Sequence, residues 1–230
     1  MPTYNQAQWL PGALASVELA ARAWHRDLTH VVVVDDGSSD ATPRLIGAHS
    51  LIYSFGHMRQ PNRGSAEAIN MGVAQLCDPC PDPVDALAWV SSDNTMTRDW
   101  LWRLVGALDD GAGAAYGGFY RVDAERCSYH FTPHEKDRLI SGLECYYGPA
   151  FLIRKDVWLE AGPHRGRISH DYDHWLRVEE VCYRRGLPIV GVDQPLCWYN
   201  AHDKRAGVVK RHEFDAHHWQ AEAKKRRGLA

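Results

Sequence analysis

Residues Val31-Val32-Val33-Val34-Asp35-Asp36-Gly37-Ser38 decide the fold. Four β-branched residues in a row leave no polar face, so the segment reads as a strand buried on both sides. It runs directly into two carboxylates, a glycine and a serine, so the strand ends in a polar loop. Asp40 then caps a helix that has Pro43 in its first turn. Ahead of the strand, Leu10, Leu14, Val17 and Ala21 recur at helical spacing. Beyond it, residues 51–55 read as a second strand, and residues 64–76 as a helix with Ala66, Ile69, Val73 and Leu76 on one face. Residues 77–85 carry Pro79, Pro81 and Pro83 and form a loop. Residues 86–90 are apolar and again meet a polar cluster, Ser91-Ser92-Asp93-Asn94. Leu101, Leu104, Val105 and Leu108 mark the next helix. Strands alternating with helices predict an α/β domain with a mainly parallel central sheet flanked by helices. Ligands of such sheets bind beyond the carboxyl ends of the strands, which places both acidic clusters on one crevice.

The second half is less regular. Residues 116–122, 148–153, 188–192 and 196–200 read as strands. Residues 155–161 and 171–185 read as helices, the second with Trp175, Val178 and Cys182 inward and Asp173 paired with Arg177 on its surface. Most tryptophans, Trp9, Trp100 and Trp102 among them, are expected in the core. This half is expected to complete the sheet.

With 230 residues, 45% of them hydrophobic and 24% charged, the chain has apolar material for one large domain. A net charge of −3 favours no polyionic partner overall. No apolar run approaches the ~20 residues of a membrane helix. Met-Pro-Thr-Tyr-Asn has none of the pattern of a signal peptide. The six cysteines are scattered, and Cys77-x-x-Cys80 has no second such pair to complete a zinc site. A reduced, cytoplasmic protein is expected. Lys224, Lys225, Arg226 and Arg227 make the end basic, and a solvated helix end is the plain reading of that run.

The order of several segments resembles glycosyltransferase family 2, the inverting nucleotide-sugar enzymes of GT-A (Rossmann-like) fold. They are Pro2-Thr3-Tyr4-Asn5, the 31–42 stretch, Asn62-Arg63-Gly64-Ser65 through Gly72, Ser91-Ser92-Asp93-Asn94, and 148–154. His170-Asp171-Tyr172-Asp173-His174-Trp175 and Tyr199-Asn200-Ala201-His202 complete the series. The family's first strand normally precedes the Pro-Thr-Tyr-Asn stretch, where only Met1 stands here. The first acid of its D-x-D motif is Ser91, and its Glu-Asp pair reads His170-Asp171.

The resemblance implies a division into a GT-A domain over residues 1–203 and a basic helical tail over 204–230. Residues 1–110 would bind the nucleotide sugar and residues 111–203 the acceptor. Pro2, Thr3, Tyr4, Asn5, Asp35, Asp36, Arg63, Ser92 and Asp93 would line the donor. Asp36 would read the N–H of a uracil-like base, Asp35 would bind beside it or brace the loop, and Arg63 with the helix start at Gly64 and Ser65 would face the diphosphate. Asp93 and His202 would hold a divalent metal, Mn2+ rather than Mg2+, that stabilises the departing diphosphate. Asp171 would be the general base. A UDP-sugar is the expected donor. Saccharide, protein, lipid-linked and modified-nucleobase acceptors all fit. The alternative function is a nucleotide-sugar-binding module with little or no turnover, suggested by Ser91 and the missing first strand. A nucleotidyltransferase would want a glycine-rich phosphate loop and an early lysine, which the sequence lacks.

Overall fold

A computed structural model describes residues 1–24, 29–48, 55–77, 84–142, 145–166, 169–202 and 216–229. The chain is α/β, with helices packed on two sheets.

The first sheet is wholly parallel. Its centre is β2 (Val31–Asp35), flanked by β1 (Pro2–Thr3) and β3 (Phe55–Arg59). Val33 and Val34 are almost fully buried, as an apolar run between two helix layers requires. β1 has two residues, and the amine of Met1 continues its line by donating to Val32 O at 2.7 Å. Of the strand read at 51–55, residues 51–54 lie outside the described residues; the described strand is Phe55–Arg59, paired in register with Val31–Asp35.

Three helices pack on this sheet. α1 (Leu10–Ala23) and α2 (Thr42–Ala48) meet one face, where Leu10, Leu14 and Ile46 close on Val33. Asp40 Oδ1 accepts from the amide of Thr42 at 2.9 Å, the expected cap, and Pro43 follows in the first turn. α3 (Ser65–Cys77) meets the other face through Ala68, against Val32 and Val34.

The second sheet is mixed. β6 (Ala114–Val122) runs parallel to β9 (Ile189–Asn200). β4 (Ala86–Leu87), β5 (Asn94–Met96), β7 (Cys127–His130) and β8 (Phe151–Arg154) all pair antiparallel. The two strands read at 188–192 and 196–200 are one strand, because the chain crosses Pro195 through an irregularity opposite Gly117 and Gly118. β5 and β7 escaped the sequence reading because neither has an apolar run.

α4 (Trp100–Asp109), α5 (Arg138–Ser141), α6 (Lys155–Ala161) and α7 (His170–Arg185) cover this sheet. Trp175, Val178 and Cys182 of α7 are buried as expected. Asp173 and Arg177 do pair, at 2.8 Å, but inside: both are buried, and Arg165 adds a second ion pair to Asp173. Trp100 is core, whereas Trp102 is 47% exposed, a correction to its expected burial. Residues 204–215 of the tail lie outside the described residues, and α8 (Ala216–Arg226) packs on α7.

Among the described residues no ladder hydrogen bond joins the two sheets. An apolar cleft of about 970 Å3 lies between β2 and β4, lined by Val31, Val32, Ile69, Val73, Leu87 and Trp100. α1 and α3 span the junction. No helix among the described residues is long and apolar enough to cross a membrane.

Candidate active site

The loop after β2 is built by its own carboxylates. Asp35 is fully buried; its Oδ1 accepts from the amide of Ser38 at 2.9 Å, and Arg59 lies 3.4 Å from its Oδ2. Bracing the loop is therefore what Asp35 does. Gly37 holds φ +80°, and a Cβ there would meet the amide nitrogen of Asn62 at 2.9 Å. The close approach brings the loops 36–38 and 60–64 together.

Asp36 locks that junction. Its Oδ1 accepts from Gln60 Nε2 at 2.7 Å and from the Arg63 amide at 2.8 Å, and its Oδ2 accepts from the Gly64 amide at 2.8 Å. The amide of Gly64 was expected on the diphosphate side; it is engaged by Asp36 instead. Ser65, at the start of α3, comes after these bonds, and Arg63 is exposed.

The 2–5 segment is stitched to the same loop. Asn5 has φ +51°, and its Oδ1 accepts from the amide of Ser39 at 2.8 Å while its own amide donates to Ser38 Oγ at 2.9 Å. Thr3 O accepts from the Asp36 amide at 2.8 Å. The Thr3 hydroxyl is buried without a hydrogen-bond partner among the described residues, whereas Tyr4 is 45% exposed.

The second acidic cluster sits between β4 and β5. Ser92 and Asp93 are both buried. Asn94 pairs with Tyr199 of β9, so the Asp93 carboxylate comes against the segment that follows β9. His202 Nε2 lies 3.2 Å from Asp93 Oδ2, and Asn200 Nδ2 donates to Asp93 O at 2.6 Å. The His202 ring stacks on Trp9, centroids 5.3 Å apart and 8° from parallel. Trp9, expected in the core, is half-buried against His202. No sequence signal pointed to that contact, because Trp9 reads as one more apolar residue just before α1.

Asp171 stands in the first turn of α7. The preceding His170 reaches the first sheet's side: its Nε2 lies 2.8 Å from Ser65 Oγ. The base candidate and the start of α3 are thereby neighbours. His170 also lies 2.9 Å, Nδ1 to Nδ1, from His164. Trp89 packs edge-on against His164 and His174, and Trp158 tilts against both. Burial lowers the pKa of all three imidazoles, and for His164 and His174 the lowering is large. His170, His164 and Ser65 were not read as a unit in the sequence, since 105 residues separate Ser65 from His170.

A sequence model described as "Glycosyl transferase family 2" matches residues 1–165. The chain belongs to glycosyl transferase family 2. No curated protein matches it by sequence. Its fold is that of S. aureus TarS. TarS residues 1–349 in complex with UDP gives a TM-score of 0.73 at 15% identity, over 96% of this chain and 63% of that one. The same fragment in complex with UDP-GlcNAc gives 0.69 at 15% identity, over 89% and 58%. This family 2 chain thus spans about six tenths of the first of those structures. The GT-A assignment stands on the family match and on these neighbours together.

Among the described residues, Asp93 and His202 are the two side chains of this family 2 site whose spacing can be tested against a divalent cation. Among the described residues no group of three or more His, Cys, Asp or Glu side chains converges on a common point. Ligands in adjacent octahedral positions at about 2.1 Å from an ion stand about 3 Å apart, and the 3.2 Å between Asp93 Oδ2 and His202 Nε2 fits that spacing. The residues present therefore suit an ion whose remaining ligands are phosphate oxygens and water.

Proposed function

We propose that this chain transfers a sugar from a UDP-sugar to an acceptor hydroxyl with inversion at the anomeric carbon. The observation that carries the reading is the meeting of Asp93 and His202 beside the end of β9, with the Asp36-locked loop as the other wall. The UDP and UDP-GlcNAc bound to the TarS neighbours favour a uridine donor.

Asp93 and His202 would hold the divalent cation, Mn2+ in preference to Mg2+, since an imidazole and a carboxylate suit it better. When bound, that ion stabilises negative charge on the departing diphosphate. Thr3 offers its buried, unpartnered hydroxyl to the base. Asp36 holds the wall of the base pocket through three hydrogen bonds, two on Oδ1 and one on Oδ2, and keeps one acceptor position on Oδ2 for a base N–H. Asp171 would take the proton of the acceptor hydroxyl as that oxygen attacks the anomeric carbon, while the bond to the diphosphate oxygen breaks on the opposite face. A single displacement needs one carboxylate on the acceptor side and no protein nucleophile beside the donor.

UDP release from UDP-GlcNAc and UDP-glucose, with and without Mn2+, tests the reading. Metal-dependent release with a β-linked product from an α-linked donor supports it. Tight UDP binding with no release under any condition would favour a binding module, the reading to which Ser91 in place of an acid points.

A further inference from the structure

The residue before Asp171 is held from both of its ring nitrogens. His170 Nε2 lies 2.8 Å from Ser65 Oγ, and His170 Nδ1 lies 2.9 Å from His164 Nδ1. Both partners are themselves anchored. Ser65 opens α3 directly after the two amides that Asp36 fixes. The amide of His164 donates to Asn70 Oδ1 at 2.8 Å, and its carbonyl accepts from Asn70 Nδ2 at 2.9 Å, so this loop is clamped to the same helix.

A contact between two Nδ1 atoms contains one hydrogen: one ring donates and the other accepts. His164 decides which. Its Nε2 is buried and has no hydrogen-bond partner among the described residues. A buried lone pair without a partner is tolerated better than a buried N–H without one. His164 therefore carries its hydrogen on Nδ1 and donates to His170. His170 in turn carries its hydrogen on Nε2 and donates to Ser65 Oγ. Ser65 accepts, which leaves its own hydroxyl hydrogen for another partner.

We propose that His170 is a positioning residue for the transfer reaction. The chain His164 to His170 to Ser65 fixes the first turn of α7, and Asp171 with it, against α3. It also turns the Ser65 hydroxyl into a donor toward the diphosphate of a bound nucleotide. The proposal rests on the reading of Asp171 as the base and of the α3 start as the diphosphate side.

Long-range proton–nitrogen NMR on the full chain, with labelled histidine, reads the tautomers directly. The expected result is hydrogen on Nε2 of His170 and on Nδ1 of His164. Ser65→Ala should shift the Nε2 signal of His170 and weaken UDP binding about tenfold, the loss of one hydrogen bond to a charged group. His170→Gln keeps an amide where Nε2 stands and should hold kcat within about threefold. His170→Asn keeps only the His164 side and should lower kcat about tenfold. Hydrogen on Nδ1 of His170 would overturn the proposal. So would a Ser65→Ala protein with unchanged UDP affinity and an unchanged His170 spectrum, or equal losses in the two His170 variants. Full turnover by Asp171→Asn would remove the base reading alone, because the tautomers and the UDP affinity of Ser65→Ala judge the relay without it.

Discussion

His202 Nε2 lies 3.2 Å from Asp93 Oδ2 although 109 residues separate them in the chain. The antiparallel pairing of β5 with β9 makes that meeting, since Asn94 sits opposite Tyr199 and Asn200 bonds back to the carbonyl of Asp93. Asp93→Ala and His202→Ala should each lower UDP affinity in the presence of Mn2+ by at least about tenfold. Calorimetry with Mn2+ and with EDTA checks this. Equal affinity under both conditions in the wild-type protein would remove the metal assignment.

Asp171→Asn should leave UDP affinity unchanged and reduce transfer by a factor of ~10²–10⁴. Asparagine keeps the shape and one acceptor oxygen but takes no proton. Product configuration by proton NMR and single-turnover rates are the measurements. Retention of configuration, or a variant that turns over at the wild-type rate, would sink the single-displacement mechanism and leave the fold untouched.

Asp36→Ala removes three hydrogen bonds at once and leaves the amides of Arg63 and Gly64 without their acceptor. A loss of roughly 2–4 kcal/mol in stability is expected, as for other broken charged networks. Discrimination between UDP and CDP should fall with it. Urea unfolding and a pair of nucleotide titrations separate the two effects. Unchanged stability would mean that the 60–64 loop is held elsewhere.

His174 is fully buried and neither of its ring nitrogens has a hydrogen-bond partner among the described residues. Burial depresses its pKa strongly, with the charges of Arg177 and His170 adding to the effect. A base with a depressed folded pKa contributes stability above its ordinary value, about 6.5, and loses it as pH falls below that value. His164 acts in the same direction. The fold should therefore weaken below about pH 6.5. His174→Phe should stay within about 1 kcal/mol of wild type at pH 7.5 and gain relative to it at pH 5.5. Melting temperatures at the two pH values test the sign.

The basic end of the chain is bound inward. Arg227 reaches Glu179 Oε2 and Asp137 Oδ1, each at 3.1 Å, and Arg226 pairs with Glu180. Glu179 is fully buried and also accepts from the Tyr147 hydroxyl. Burial raises the pKa of Glu179. A raised carboxyl pKa means stability present at low pH and lost as pH rises, so Arg227→Ala should be tolerated better near pH 4.5 than at pH 7.5. A loss of roughly 3 kcal/mol is expected at the higher value, because the carboxylate is left unpaired. Denaturant titrations at both values decide it.

Long apolar runs and helical spacing placed β2, α1, α3, α4, α6 and α7 within a few residues. Those patterns report local burial, and burial is what these elements share. Tertiary pairing set the rest. β3 is described at Phe55–Arg59, in register with all of β2, and the apolar run read at 51–55 reached only its first residue. Asp173 and Arg177 read as a surface pair from their spacing, but Arg165 arrives from another loop and closes the pair inside. At the site, the motifs named Asp36, Asp93, Asp171 and His202. They did not show that Asp36 spends its oxygens on a loop, or that His170 links two helices, since both facts depend on partners distant in sequence.

The unjoined sheets bear on cooperativity. A three-stranded parallel sheet with a two-residue edge strand has few ladder bonds of its own and is tied to the larger sheet mainly through α1 and α3. Local opening of that unit need not wait for global unfolding. Amides of β2 and β3 would then exchange with solvent sooner than those of β6 and β9. A nucleotide seated between the Asp36 loop and the Asp93–His202 pair would touch both units and act as a stitch across them. Its largest effect on exchange would fall on the smaller sheet, and would reach β3, which borders β2 and not the nucleotide.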